Sequence, residues 1–160
     1  MLDRFEKFLK ESDGAILKIS TKGRYGLRAL IDLAQYGGDE PMSITSIAGR
    51  QGISERYLEQ LMSLLKKAGI VSSVRGAGGG YRVAKDLHDV SVGDVLRALE
   101  GSLESVDCSA INDDEEGCEI ANSCVTKFVW QQINDSINQT VDGIKLDQLV
   151  ADSRQMCDVL

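Results

Sequence analysis

Three of the four cysteines, Cys108, Cys118 and Cys124, fall within seventeen residues, with nine and then five residues between them. Clustered soft thiolates are ligands for zinc or for iron–sulfur centres. Structural zinc favours tight cysteine pairs, and the chain has none. Cysteine is also a common buried apolar residue. These cysteines flank the acidic run 112–117 (NDDEEG), a segment that a hydrophobic core does not accept. Residue types and spacing therefore leave two alternatives, a metal site or three unrelated thiols. Cys157, near the end of the chain, is a ligand, a reactive thiol or neither. The single histidine, His88, has no nucleophile–base arrangement around it in the sequence, which argues against an enzyme.

A second group of residues is suited to polyanions. The chain carries a net charge of −7, but the charge is unevenly distributed. Residues 18–85 hold 11 basic and 5 acidic side chains, a net of +6. Residues 86–160 hold 4 and 16, a net of −12. Phosphate binding depends on the local patch rather than the total, so the basic segment can face DNA while the acidic part faces away. Within it, Glu55, Arg56, Tyr57, Glu59 and Gln60 cluster at one helix start. Arg and Gln pair with base edges, and a glutamate accepts from cytosine. Arg75 stands beside the Gly-rich run 76–80 (GAGGG), where it can reach a minor groove or a phosphate.

The elements that would position these residues follow from periodicity and punctuation. Thr21 to Tyr36 predicts a helix with Leu27, Leu30, Ile31 and Ala34 as its apolar stripe, ended by Gly37-Gly38. Ile44 to Gln51 predicts a short helix broken by Gly52. Ser54 is a good N-cap for a third helix, running to about Ala68 with Leu58, Leu61, Leu65 and Ala68 inward. The pair has helix-turn-helix proportions. Val71 to Arg75 and Tyr81 to Val83 predict a β-hairpin around the glycines, and a hairpin after a helix-turn-helix is a wing. Ser91 to Asp94 resembles a capping box for a helix ending at Gly101. A long helix is expected from about Glu119, with Ile120, Cys124, Phe128, Ile133, Ile137 and Val141 on one face as a dimer seam. The fold class expected is mainly α with a small β-hairpin, a winged helix-turn-helix followed by a long C-terminal dimerisation helix.

Three segments carry a family resemblance. Residues 18–27 (KISTKGRYGL), 57–61 (YLEQL) and 71–81 (VSSVRGAGGGY) resemble the signatures of IscR-type regulators of the Rrf2 family, and the likeness runs from about Lys18 to Leu149. The resemblance implies a winged-helix homodimer on a partly palindromic double-stranded DNA operator. Carried over, the contacts fall on Lys22, Arg24, Ser54, Arg56, Tyr57, Glu59, Gln60, Arg75, Gly78 and Gly79. It also implies an iron–sulfur cluster on Cys108, Cys118 and Cys124, with [2Fe-2S] ahead of [4Fe-4S]. The first cysteine interval is longer here than in familiar members, and a loop absorbs such insertions. IscR-type members carry a histidine three residues after the last cysteine. Here that residue is Lys127, a poor ligand while protonated. The fourth ligand is left to Cys157, an acidic residue or a group of the partner subunit. A cluster-free regulator of the CymR kind, controlled by a partner protein or small molecule, is the alternative.

The organisation expected is an extension at 1–17, a DNA-binding domain at 18–85, a cluster loop and dimerisation helix at 86–149, and a tail at 150–160. The extension precedes the family's usual start, and Leu17 stands where members have their initiator methionine. Bacterial start codons include leucine codons, so translation is expected to begin at codon 17, the extension being a gene-model artefact. No apolar run approaches the ~20 residues of a membrane span, and residues 1–10 do not read as a secretory signal. The expected compartment is the cytoplasm, where thiols stay reduced.

Overall fold

The structure, a computed structural model, describes residues 19–38, 40–106 and 123–157. The extension, the acidic run, Cys108, Cys118 and Ile120 lie outside them. Helix α1 spans Thr21–Tyr36, α2 Ile44–Gln51 and α3 Glu55–Lys67. Each starts on a serine whose hydroxyl accepts a backbone N–H of the first turn. Ser20 accepts from Lys22, Ser43 from Ser46 and Ser54 from Tyr57. Such a cap satisfies one of the donors that a helix N-terminus leaves unpaired. Gly52 ends α2 in the left-handed region, at φ 65°, which sets the turn into α3.

Strands β1 (Val71–Val74) and β2 (Gly80–Val83) pair antiparallel, from Val71 opposite Val83 to Val74 opposite Gly80. The hairpin is also joined to the entrance of α2. Met42 and Tyr81 exchange backbone hydrogen bonds, each 2.8 Å. A Cβ at Gly80 would collide with the Met42 backbone, so only glycine permits this approach.

Helix α4 covers Val92–Glu100 and has a complete capping box between Ser91 and Asp94. Burial pushes the Asp94 carboxyl up, but the Ser91 N–H and hydroxyl, aided by Arg97 and Lys145, hold it below its ordinary value. Gly23 and Gly26 of α1 face α4. A Cβ at Gly26 would strike Leu99, so the two helices meet closely because those positions have no side chain. The core joins Leu30 and Leu33 to Ile47, Leu58, Leu61, Met62, Leu65, Ile70, Val95 and Leu99. Buried Asp32 is saturated by the Arg50 guanidinium (Nη2 to Oδ1, 2.6 Å) and by Gln51 Nε2 (2.8 Å). That bonding keeps a carboxylate affordable inside, and it raises the Arg50 pKa above its usual value.

Several expectations are corrected. The stripe of α1 is rotated: Ala29, Leu30 and Leu33 are buried with Gly23, Gly26 and Asp32, while Leu27, Ile31 and Ala34 are half-buried. Close packing on the two glycines sets that rotation. In α3, Met62 is buried and Ala68 is exposed. Finally, residues 150–157 are not a tail, because helix α6 spans Leu146–Cys157, with Leu146 and Val150 in the core.

The long helix α5 spans Thr126–Gly143, so it begins after Cys124 rather than near Glu119. Its expected seam mixes two faces. Phe128 and Ile137 are nine residues apart, two and a half turns at about 3.6 residues per turn, and so point oppositely. Ile137 and Val141 are half-buried on the side of buried Asn134, whereas Val125, Phe128, Val129 and Ile133 are exposed. Arg97 of α4 reaches Asn138 (3.1 Å) and Asp142 on the inner side.

Candidate functional site

The first turns of α1 and α3 come together at one surface. Arg56, Glu59, Gln60 and Ser63 are exposed on α3, and Lys22 and Arg24 are exposed on α1. Lys22, Arg56, Tyr57, Glu59, Gln60 and Ser63 line one open cleft of about 580 Å³. Ser63 was not singled out from the sequence. It follows Arg56 and Gln60 at helical spacing, which is the signal that would have found it.

Two of the expected contacts have structural work as well. The Ser54 hydroxyl caps α3 at the Tyr57 N–H, 3.3 Å away. Tyr57 is half-buried: its ring packs edge-on to Tyr25 at 6.2 Å, and its hydroxyl donates to Thr21 Oγ1 at 3.3 Å. It therefore ties α3 to the first turn of α1.

Arg75 and Gly78 are exposed in the turn between the strands, and Gly79 is half-buried. Gly76 has φ 114°, and the Gly79 N–H donates to its carbonyl at 3.0 Å. A Cβ at Gly79 would press on Val74 and Gly76 carbonyls. The tip is thus tight, and Arg75 projects from it. Lys66 Nζ donates to Ser73 Oγ at 2.5 Å, which binds the wing to α3.

Of the three expected thiolate ligands, Cys124 is described. It is half-buried two residues ahead of α5, with its Sγ 3.2 Å from Thr126 Oγ1. The Thr126 hydroxyl first, then the Lys127 backbone N–H, hold this thiol below its usual pKa, and the Lys127 charge adds to them. His88 is engaged elsewhere. Its Nδ1 lies 3.2 Å from Asp147 Oδ2, and the pairing lowers the Asp147 pKa. Asp147 follows the C-terminal end of α5 and Cys124 precedes its start. The 18 residues of that helix span about 27 Å, so His88 and Cys124 of one protomer cannot share an ion. Among the described residues, no three His, Cys, Asp or Glu side chains are gathered for a metal, and no helix is long and apolar enough to cross a membrane. Cys157 is the last residue of α6.

The family model described as Rrf2, iron-dependent transcriptional regulator, matches residues 19–152. The chain belongs to the Rrf2 family. It is therefore a DNA-binding transcription regulator and not an enzyme. The chain is 39% identical over 137 residues to the HTH-type transcriptional regulator IscR of Aliivibrio salmonicida, covering 86% of this chain and 79% of that protein. Among solved structures, T. potens IscR is 45% identical, with a TM-score of 0.67, covering 85% of this chain and 88% of the other. CymR, the global cysteine regulator of B. subtilis, is 40% identical, with a TM-score of 0.68, covering 85% and 98%. These structures share the mainly helical winged architecture with its two-stranded hairpin.

Proposed function

We propose that this Rrf2 member is a homodimeric regulator of the IscR type that senses iron–sulfur, redox or nitrosative status through a cluster on Cys108, Cys118 and Cys124. The observation that carries the reading is the position of Cys124. It directly precedes Val125, the N-cap residue of α5, where an exposed apolar strip begins that continues along the helix with Phe128, Val129 and Ile133. That face is the proposed dimer seam, since a contiguous apolar strip on a helix wants a partner.

Cys124 fits an iron–sulfur ligand. Its thiol is half-buried and held toward the thiolate, the form that binds iron. When bound, a [2Fe-2S] cluster, ahead of [4Fe-4S], supplies a labile redox-active group. The chain does the rest. Arg56, Glu59 and Gln60 offer base-reading groups on α3, and Lys22, Arg24 and Arg75 offer cations to phosphates or the minor groove. Ser54, Tyr57, Gly78 and Gly79 hold those groups in place or bring backbone close to DNA. Pairing along α5 sets the separation of two recognition helices on an operator.

The test is to purify the protein without oxygen and record its absorption spectrum with iron and sulfide content. The expected result is coloured protein with near-equal iron and sulfide, in which Cys108→Ala, Cys118→Ala and Cys124→Ala each abolish the colour while Cys157→Ala keeps it. Colourless protein that still binds its operator would replace this reading with the cluster-free, CymR-like one.

A further inference from the structure

Helix α1 presents Lys22 and Arg24, yet its first turn contains no acidic residue. In a capping box the carboxylate at the third helical position accepts the N-cap N–H. Helix α4 does this with Asp94. In α1 the third position is Gly23, which has no side chain to offer. The carboxylate comes from another helix instead. Oε1 of Glu100, the last residue of α4, accepts the Ser20 N–H at 3.1 Å, the Ser20 hydroxyl at 2.6 Å and the Gly23 N–H at 2.9 Å. A Cβ at Gly23 would lie 2.7 Å from that oxygen, so the glycine makes room for the borrowed cap.

The same glutamate closes α4, and the chain then runs through 101–106 toward Cys108, eight residues on. That exit is itself fixed. The Ser105 N–H and hydroxyl both donate to Oδ1 of buried Asn134 on α5, at 2.8 and 2.7 Å. One short stretch, Glu100 to Ser105, thus connects the start of α1 to the body of α5 and leads directly into the cysteines.

We propose that Glu100 is the positioning residue through which the state of the cysteine segment reaches DNA, by holding or releasing the first turn of α1 and with it Lys22 and Arg24. This rests on the cluster reading above. A charge-assisted carboxylate cap to backbone N–H groups is strong enough to fix a helix start. Loss of that hold would leave Lys22 and Arg24 on a frayed turn and weaken phosphate contacts.

The test measures affinity for a duplex recovered by binding-site selection with the wild-type protein. Wild type, Glu100→Ala and Glu100→Gln are each compared with the cluster loaded and after its removal by chelation. Wild type should show a loaded-to-stripped ratio of about fivefold or more, the lower range of allosteric couplings. Glu100→Ala should reduce that ratio to within about twofold while keeping the cluster absorbance and the assembly state, and Glu100→Gln, which retains an acceptor at the same reach, should preserve most of it. Should Glu100→Ala fail to fold, Ser20→Ala removes the shortest of the three bonds and must lower the ratio by itself. A Glu100→Ala protein weakened equally in both states, with its ratio intact, would make Glu100 a structural cap only and overturn the proposal. An unchanged ratio in folded Ser20→Ala, where that variant stands in, would do the same. Wild-type protein with equal affinities in both states would overturn the sensing reading itself, a failure visible before any variant is made.

Discussion

Helices α3 and α5 are both amphipathic, but they finish differently. α3 buries Leu58, Leu61, Met62 and Leu65 within its own chain and keeps charged and polar groups outside. It also starts on a serine cap. α5 turns Asn134 inward and leaves Phe128 69% and Val125 81% exposed, and no side chain caps its start. The first helix is complete in one protomer. The second is finished on its inner side, against α4, and unfinished on its outer side. On the proposed reading the difference separates two tasks: α3 completes a core within one chain, whereas the outer face of α5 is the seam for a second copy.

Leu61→Ala should have the largest effect on stability, because it opens a cavity in the buried core. A loss of about 2–5 kcal/mol is expected, read by chemical denaturation. A loss below 1 kcal/mol would mean that α3 is not the keystone of the fold. Phe128→Asp should sharpen the contrast from the other side. It places a charge on the outer face of α5, so dimerisation should fall by two orders of magnitude or more, roughly 3 kcal/mol, with the unfolding midpoint of the monomer little changed. Sedimentation across a concentration series measures it, and an unaltered dimer would remove the outer face from the seam. Ser54→Ala should be the mildest. Loss of the α3 cap costs about 0.5–2 kcal/mol, with no change in assembly. A change in dimer affinity in that variant would show that the two helices are not independent.

The winged helix was legible in the sequence because local signals and packing agree there. Serine caps, Gly52 and the glycine-rich wing turn each have a stereochemical reason to stand where they do. The rotated stripe of α1 was hidden, because close packing on Gly23 and Gly26 places apolar contact where no side chain announces it. Asp32 was hidden for a related reason: a buried carboxylate looks exposed until Arg50 and Gln51 are brought to it from α2. The two faces of α5 could have been separated by strict helical angles, since Phe128 and Ile137 differ by half a turn. Helix α6 left only a faint trace in Leu146, Leu149 and Val150. Of the candidate site, Lys22, Arg24, Arg56 and Arg75 could be named from the sequence, and the structure leaves all four exposed. The borrowed cap from Glu100 was not, because it joins residues eighty positions apart.

The hydrogen bonds between Met42 and Tyr81, with Gly80 pressed against the Met42 backbone, fix more than the hairpin's own shape. Met42 leads straight into Ser43, the cap of α2, so the wing is stitched to the opening of the helix-turn-helix as a third, one-residue strand. On the proposed reading, the wing tip and α3 are held in one arrangement, so their contacts on a duplex keep a constant offset. A half-site that places its groove features at another offset should bind more weakly. With two copies paired along α5 as proposed, tolerance should lie in the spacer between half-sites. Natural operators for this regulator should accordingly be strict in half-site grammar and lenient in the length and bend of the DNA between them.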